Sequence, residues 1–161
     1  MKQKLLYFVC NLELFISGTF MCLMIFIAAL NTFSRYLLNS PIFASDEIVL
    51  TLFIWTIFLG ASYCYKKRLH IGVDILVTMM PGGVQTFLRL LVGFILIVTN
   101  ITMAYLSFQL SANSMIRMIP LLQIPYAVRN SAAFVGFALM SVYSVRFFID
   151  DVRALLTRNR I

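Results

Sequence analysis

The residues able to do chemistry are few, and they stand far apart in the chain. His70 and Asp74, one helical turn apart, can hold each other through an imidazole–carboxylate hydrogen bond, but no further ligand stands near to complete a metal site. The pair reads as a device that stiffens a loop. Cys10, Cys22 and Cys64 form no CxxC pair, and each lies in or beside an apolar run where a thiol acts as a small hydrophobe. Neither a disulfide nor a metal centre is expected, and a quinone-linked thiol oxidoreductase would need paired cysteines. Arg35, Asp46 and Glu47 fall together in one short connection, where they can pair locally or form a docking patch for another protein. No nucleophile stands with a base and no glycine loop cradles a phosphate, so neither an enzyme nor a bound cofactor is expected.

What positions these residues is a membrane. Of 161 residues, 61% are hydrophobic and 12% charged, with a mean hydropathy of +0.94, which makes lipid the solvent for most of the surface. The stretches free of Asp, Glu, Lys and Arg are 14–34, 48–65, 90–116 and 130–145. With arginines snorkelling from their ends, they predict spans at about 12–34, 47–65, 86–111 and 126–149, in one membrane domain covering 1–161. The apolar runs are continuous rather than alternating, which excludes a barrel, and an open sheet cannot satisfy its edges in lipid. The fold class is therefore an all-α membrane protein of four transmembrane helices. Lys2 and Lys4 precede an uncharged run of 21 residues, longer than the apolar core of a signal peptide, so the first helix is expected to be retained.

The net charge of +7 lies in short loops and tails, not along one stripe, and so reports topology and not a nucleic-acid partner. Ten basic residues fall in the N-tail, the middle loop and the C-tail, against only Arg35, Arg117 and Arg129 on the other side. Both termini are therefore expected in the cytoplasm. In the middle loop, 66–83, Leu69, Val73, Leu76 and Met80 recur at helical spacing behind Lys66-Lys67-Arg68, which predicts a short amphipathic helix in the cytoplasmic interface. Pro81-Gly82-Gly83 ends it.

The span interiors carry no ionisable group and no Gly-Pro break, whereas carriers of charged solutes bury such features near the midplane. Asn100, between Thr99 and Thr102, is the most polar buried group, and is expected to form an interhelical hydrogen bond worth about 1 kcal/mol or less. Gly18 with Cys22, Gly60 with Cys64, and Ala132 with Gly136 are small residues four apart that permit close helix packing. The competing class is a self-contained four-helix exporter of the small multidrug type, working as a dimer through a membrane-embedded carboxylate. Glu13 is its only candidate and lies near the cytoplasmic end.

The order of motifs resembles the small membrane subunit of tripartite ATP-independent periplasmic (TRAP) transporters, the DctQ type. Span one ends in Arg35-Tyr36; Asn39 and Pro41 lead to Ser45-Asp46-Glu47; span two carries Phe53, Trp55, Leu59 and Gly60-Ala61; then come Lys66-Lys67-Arg68, His70-Ile71-Gly72-Val73-Asp74 and Pro81. Pro120 to Tyr126 before span four, and Gly136-Phe137 with Met140 inside it, extend the resemblance over almost the whole chain. Ala44 stands where the family often has tryptophan, and Phe134 where proline is common. The resemblance implies a bacterial inner-membrane subunit that stays fixed beside a large, sodium-coupled membrane subunit moving as an elevator. One small subunit is implied per large one. A periplasmic substrate-binding protein would deliver a dicarboxylate, keto acid or sialic acid. On this view Arg35, Asp46 and Glu47 face the periplasm and help dock the binding protein. Lys66, Lys67 and Arg68 grip anionic lipid at about 1 kcal/mol each, and His70 with Asp74 stiffens that loop.

Overall fold

The computed structural model describes residues 11–40, 42–67 and 82–158. They form four long helices: α1 (Leu12–Leu37), α2 (Ser45–Lys66), α3 (Gly82–Asn113) and α4 (Tyr126–Arg158). Each is long and apolar enough to cross a membrane, and no sheet forms among the described residues beyond one isolated bridge between Met118 and Pro125. The predicted amphipathic helix of the middle loop, with Arg68, His70 and Asp74, lies outside the described residues. The charges at the helix ends suit the backbone dipole: Glu13 sits in the first turn of α1 and Asp46 and Glu47 in that of α2, while Arg35 and Lys66 close those same helices.

The predicted second span widens by only a residue or two, to 45–66, but α3 begins four residues before the predicted third span and α4 runs nine residues beyond the fourth. The hydrocarbon layer limits an apolar run and not a helix, so a helix continues into water for as long as its backbone bonds and neighbours favour it.

Side-chain contacts fix the register. Ser17 Oγ of α1 donates to the Thr56 carbonyl of α2 (3.1 Å), and Glu13 meets Ser62 further along, so α1 and α2 are antiparallel. Trp55 Nε1 donates to the Val128 carbonyl (3.1 Å), while Tyr65 reaches Ser144, so α2 and α4 run parallel. Phe108 packs on Phe134, with Gly93 beside Phe148, so α3 and α4 are antiparallel. Packing joins α1 to α2, α2 to α4 and α4 to α3. The helices thus stand in a row with α2 and α4 inside, and the α1–α2 and α3–α4 connections share one end.

The row explains the burial. In their apolar windows α2 and α4 bury 17% and 22% of residues, but α1 and α3 only 6% each. Close approach occurs where glycine allows it. A Cβ on Gly136 would lie 2.8 Å from Phe58 Cβ and 3.1 Å from its carbonyl oxygen, so α4 rests on the α2 backbone there. A Cβ on Gly60 would lie 3.3 Å from Ser17 Oγ, whereas one on Gly18 would meet nothing within 4 Å. Ala132 is fully buried.

Candidate functional site

Polar side chains from all four helices form a belt near the end carrying Glu13 and Lys66. Glu13 of α1 is its anchor. Tyr143 Oη of α4 donates to Glu13 Oε1, Lys66 Nζ lies 3.9 Å from Oε1, and Ser62 Oγ of α2 shares its one proton between the Leu59 carbonyl (2.8 Å) and Glu13 Oε2 (3.3 Å). Lys66 also sits over the Tyr143 ring, 5.4 Å from its centroid. One residue on along α4, Ser144 Oγ is 2.7 Å from Tyr65 Oη of α2 and accepts from Asn100 Nδ2 of α3 at 2.9 Å. Ser144 gives its own proton to the Met140 carbonyl (2.8 Å), so its oxygen accepts from both Asn100 and Tyr65. Ser62, Tyr65, Asn100 and Ser144 are all buried.

Chemically the belt is inward-looking. An amide, two hydroxyls and a phenol in an apolar interior would each cost a few kcal/mol if unpaired, and here each answers another across a helix boundary. Such an arrangement joins helices rather than holding a solute. It gives Asn100 the interhelical partner that an amide at this depth requires, and it engages Glu13 on three sides with groups from α2 and α4.

The basic cluster divides. Lys66 is directed at Glu13, while Lys67 is exposed with its ammonium 5.6 Å from the centre of the Tyr63 ring.

At the opposite end, Arg35, Asp46 and Glu47 are not brought together. Asp46 Oδ1 accepts from Asn31 Nδ2 (3.1 Å), and Asn31 Oδ1 accepts the Ile42 amide (3.1 Å), so Asn31 clasps the connection to the head of α2. Glu47 is half-buried, and its Oε2 finds no hydrogen-bond partner among the described residues. Arg35 is exposed and pairs with neither acid.

The α3–α4 connection at that same end is an ordered hairpin. Ile119 is fully buried, its amide donates to the Ile124 carbonyl (2.8 Å), and its carbonyl accepts the Gln123 amide (2.8 Å). The Tyr126 amide donates to the Arg117 carbonyl at 2.9 Å. Gln123 takes the left-handed conformation (φ 54°) that closes the turn between Pro120 and Pro125. Asn130 Nδ2 on Ser114 Oγ (3.0 Å) and Ser111 Oγ on the Ala127 carbonyl (3.2 Å) fasten its roots.

Sequence reasoning singled out Asn100 but missed its partner Ser144 and the Tyr65 that also bonds Ser144, as well as Ser62 and Tyr143 around Glu13. One signal was available: Ser62, Tyr65 and Lys66 share a face of α2 at helical spacing, and a face of that kind needs polar company.

Residues 16–154 match the family model described as tripartite ATP-independent periplasmic transporters, DctQ component. A TRAP transporter small permease protein of Haemophilus influenzae is 26% identical over 155 residues, covering 94% of each chain. The C4-dicarboxylate TRAP transporter small permease protein DctQ of Vibrio cholerae is 33% identical over 78 residues, 48% of this chain and 34% of that one. The sialic acid TRAP transporter permease protein SiaT of H. influenzae is 30% identical over 89 residues, 53% of this chain but 14% of the longer protein.

Proposed function

The chain belongs to the DctQ-component family of tripartite ATP-independent periplasmic transporters, and we propose that within such a transporter it is the fixed scaffold on which a large membrane subunit moves. It is a transport component rather than an enzyme, and a multi-pass protein of the bacterial inner membrane. The observation that carries the scaffold reading is the belt: its polar groups are spent on one another, which holds α1 to α4 together and leaves the outward faces of α1 and α3 largely apolar. A part that must stay still while its neighbour slides needs internal rigidity and a broad membrane-facing surface, and no midplane charge. The match to SiaT supports a large permease as partner, because in that protein the similar segment is a small fraction of a much longer permease chain.

On this reading the large subunit holds the substrate and the coupling sodium ions, and a binding protein delivers an organic acid from the periplasm. C4-dicarboxylates and sialic acids, named for two of the relatives, and keto acids are the candidate cargoes. The termini face the cytoplasm, in keeping with the excess of basic residues at that end. Lys67 holds anionic lipid there.

The test is a mild-detergent pull-down of the tagged chain from its host, with mass spectrometry of what stays bound and uptake assays in a strain lacking it. A large multi-span permease in the eluate, together with loss of organic-acid uptake, is the expected outcome. Recovery of the chain alone, as a dimer that transports unaided in liposomes, would refute the scaffold and revive the exporter. The engagement of Glu13 by Ser62, Lys66 and Tyr143 speaks against that alternative, since an exporter's carboxylate must be open to its cargo.

A further inference from the structure

One line of side chains breaks the apolar outward surface of the row. Along α3, Thr102, Tyr105, Gln109 and Asn113 follow one another at spacings of three, four and four, and all four are exposed. They lie on the side away from α4. Thr102 stands two residues from Asn100, and Gln109 two from Ser111, the residues that bond α4; two residues turn a helix by about 200°. Thr102 returns its proton to the Val98 carbonyl (2.8 Å), and Gln109 Nε2 donates to Tyr105 Oη (2.8 Å). That pair leaves the Gln109 carbonyl, its second amide proton and the Tyr105 phenol proton without partners among the described residues. All three groups fall inside the apolar window that ends at Asn113, with Gln109 about 6 Å and Tyr105 about 12 Å from that end. Hydrocarbon satisfies none of them.

The other flank has no such line. From Phe20 to Leu30, α1 carries no hydroxyl or amide side chain, and Thr19 and Thr32 beside that stretch return their protons to the Phe15 and Ala28 carbonyls of their own helix at 2.8 and 2.9 Å. The two flanks are equally little buried, 6% in each apolar window, and differ in polarity.

We propose that the line Thr102, Tyr105 and Gln109 seats a transmembrane helix of the large permease, one that brings a hydroxyl or amide side chain to the Tyr105–Gln109 pair, while α1 faces lipid. The assignment rests on the scaffold reading. The rhythm suits a helix, since Ile95 and Val98, also exposed, continue the line at alternating steps of three and four, the seam into which a second helix packs. The unanswered polar atoms select the occupant. Lipid tails offer them nothing, and a soluble protein does not reach this depth. The match to part of the much longer SiaT permease favours a large permease over a second copy of this chain as the neighbour.

The experiment co-expresses the unaltered chain and a Tyr105→Phe/Gln109→Leu variant at equal level with the tagged large permease recovered in the pull-down. The ratio of the two small subunits held by the permease is compared with their ratio in the whole membrane. The variant is expected to be about fivefold to tenfold depleted in the permease-bound pool, as the loss of two membrane hydrogen bonds implies. Its melting temperature alone in detergent is expected to match that of the unaltered chain, because both side chains point away from the other helices. Thr19→Val, which removes a hydroxyl from the opposite flank, is expected to show no depletion. A photo-reactive benzoylphenylalanine at position 102 is expected to cross-link to the permease, and one at position 26 to phospholipid. Equal recovery of the double variant and the unaltered chain overturns the assignment, as does a cross-link from position 102 to phospholipid or to a second copy of the chain. Failure of the unaltered chain to co-purify with any large permease overturns the scaffold reading itself and this assignment with it.

Discussion

At the scale of single residues, the two glycines that open the small-residue pairs of α1 and α2 and the one that closes the pair in α4 are not equivalent. A methyl group at Gly136 would press on Phe58 Cβ at 2.8 Å and on backbone at 3.1 Å, atoms that cannot swing aside, whereas one at Gly18 would enter open space. Gly136→Ala is expected to destabilise the folded chain by about 1–3 kcal/mol, the usual cost of overpacking, and Gly18→Ala to change it little. Thermal melts of the two variants in detergent, followed by the fraction that remains monodisperse, compare them directly. Equal melting points would refute the close packing of α2 on α4. The Ser144 junction gives a second contrast. Asn100→Leu and Tyr65→Phe each remove one of the two donors to Ser144 Oγ, and each is expected to cost about 1 kcal/mol or somewhat less, as membrane hydrogen bonds do. Because both act on one oxygen, their double-mutant cycle should be non-additive; strict additivity would place the two bonds on separate junctions. Asn100 was legible in the sequence because a lone amide in an apolar span demands a partner. Its partner was not, because Ser144 is chemically ordinary, and only the antiparallel register of α3 and α4 brings it within reach.

The scale of whole elements was the most legible, because span number and helical class follow from continuous apolar runs that permit nothing else in lipid. Helix ends were less so: α4 continues past Arg146 into the charged stretch around Asp150 and Asp151, where composition no longer speaks for a span but helical bonding persists. How the first turn of α1 is fastened could not be read either, since Glu13 meets residues 49 and 130 positions away. That fastening has a measurable hierarchy. Lys66 is partly exposed and 3.9 Å from the carboxylate, and such pairs contribute about 1 kcal/mol at most. Glu13 also accepts the Tyr143 hydroxyl proton and a share of Ser62's, and removing an acceptor from part-buried donors costs about 1–3 kcal/mol. Glu13→Leu should therefore lower the detergent melting temperature clearly more than Lys66→Met. The reverse order would mean that the ion pair, and not the hydroxyl bonds, holds α1. Glu13→Gln keeps one oxygen to accept from Tyr143 and is expected to fold and to leave organic-acid uptake intact, whereas drug efflux that vanished with it would return the chain to the exporter class.

For the whole molecule, the arrangement in a row decides how the chain meets its surroundings. A closed bundle of four helices hides one stripe of each, but here α1 and α3 each touch essentially one neighbour and present apolar side chains around most of their circumference, Phe26 and Phe33 on α1 and Phe94 and Ile101 on α3 among them. Lipid tolerates both faces equally, so burial alone assigns neither to a protein partner. A rigid row nonetheless has two flanks, and a scaffold engaged by one large subunit has to use them unequally. Single cysteines at Phe26 and Ile101, in a chain whose native cysteines are replaced, should react equally with a membrane-soluble maleimide when the small subunit is alone in liposomes. In the assembled transporter one of the two should be protected and the other not. Protection of one flank would give the direction in which the large subunit lies. Protection of neither would mean that the partner is held through the connections at the helix ends, and would remove the membrane-facing surface from the scaffold argument. Protection of both would require the row to be embraced from two sides, which one large subunit per small one does not readily supply.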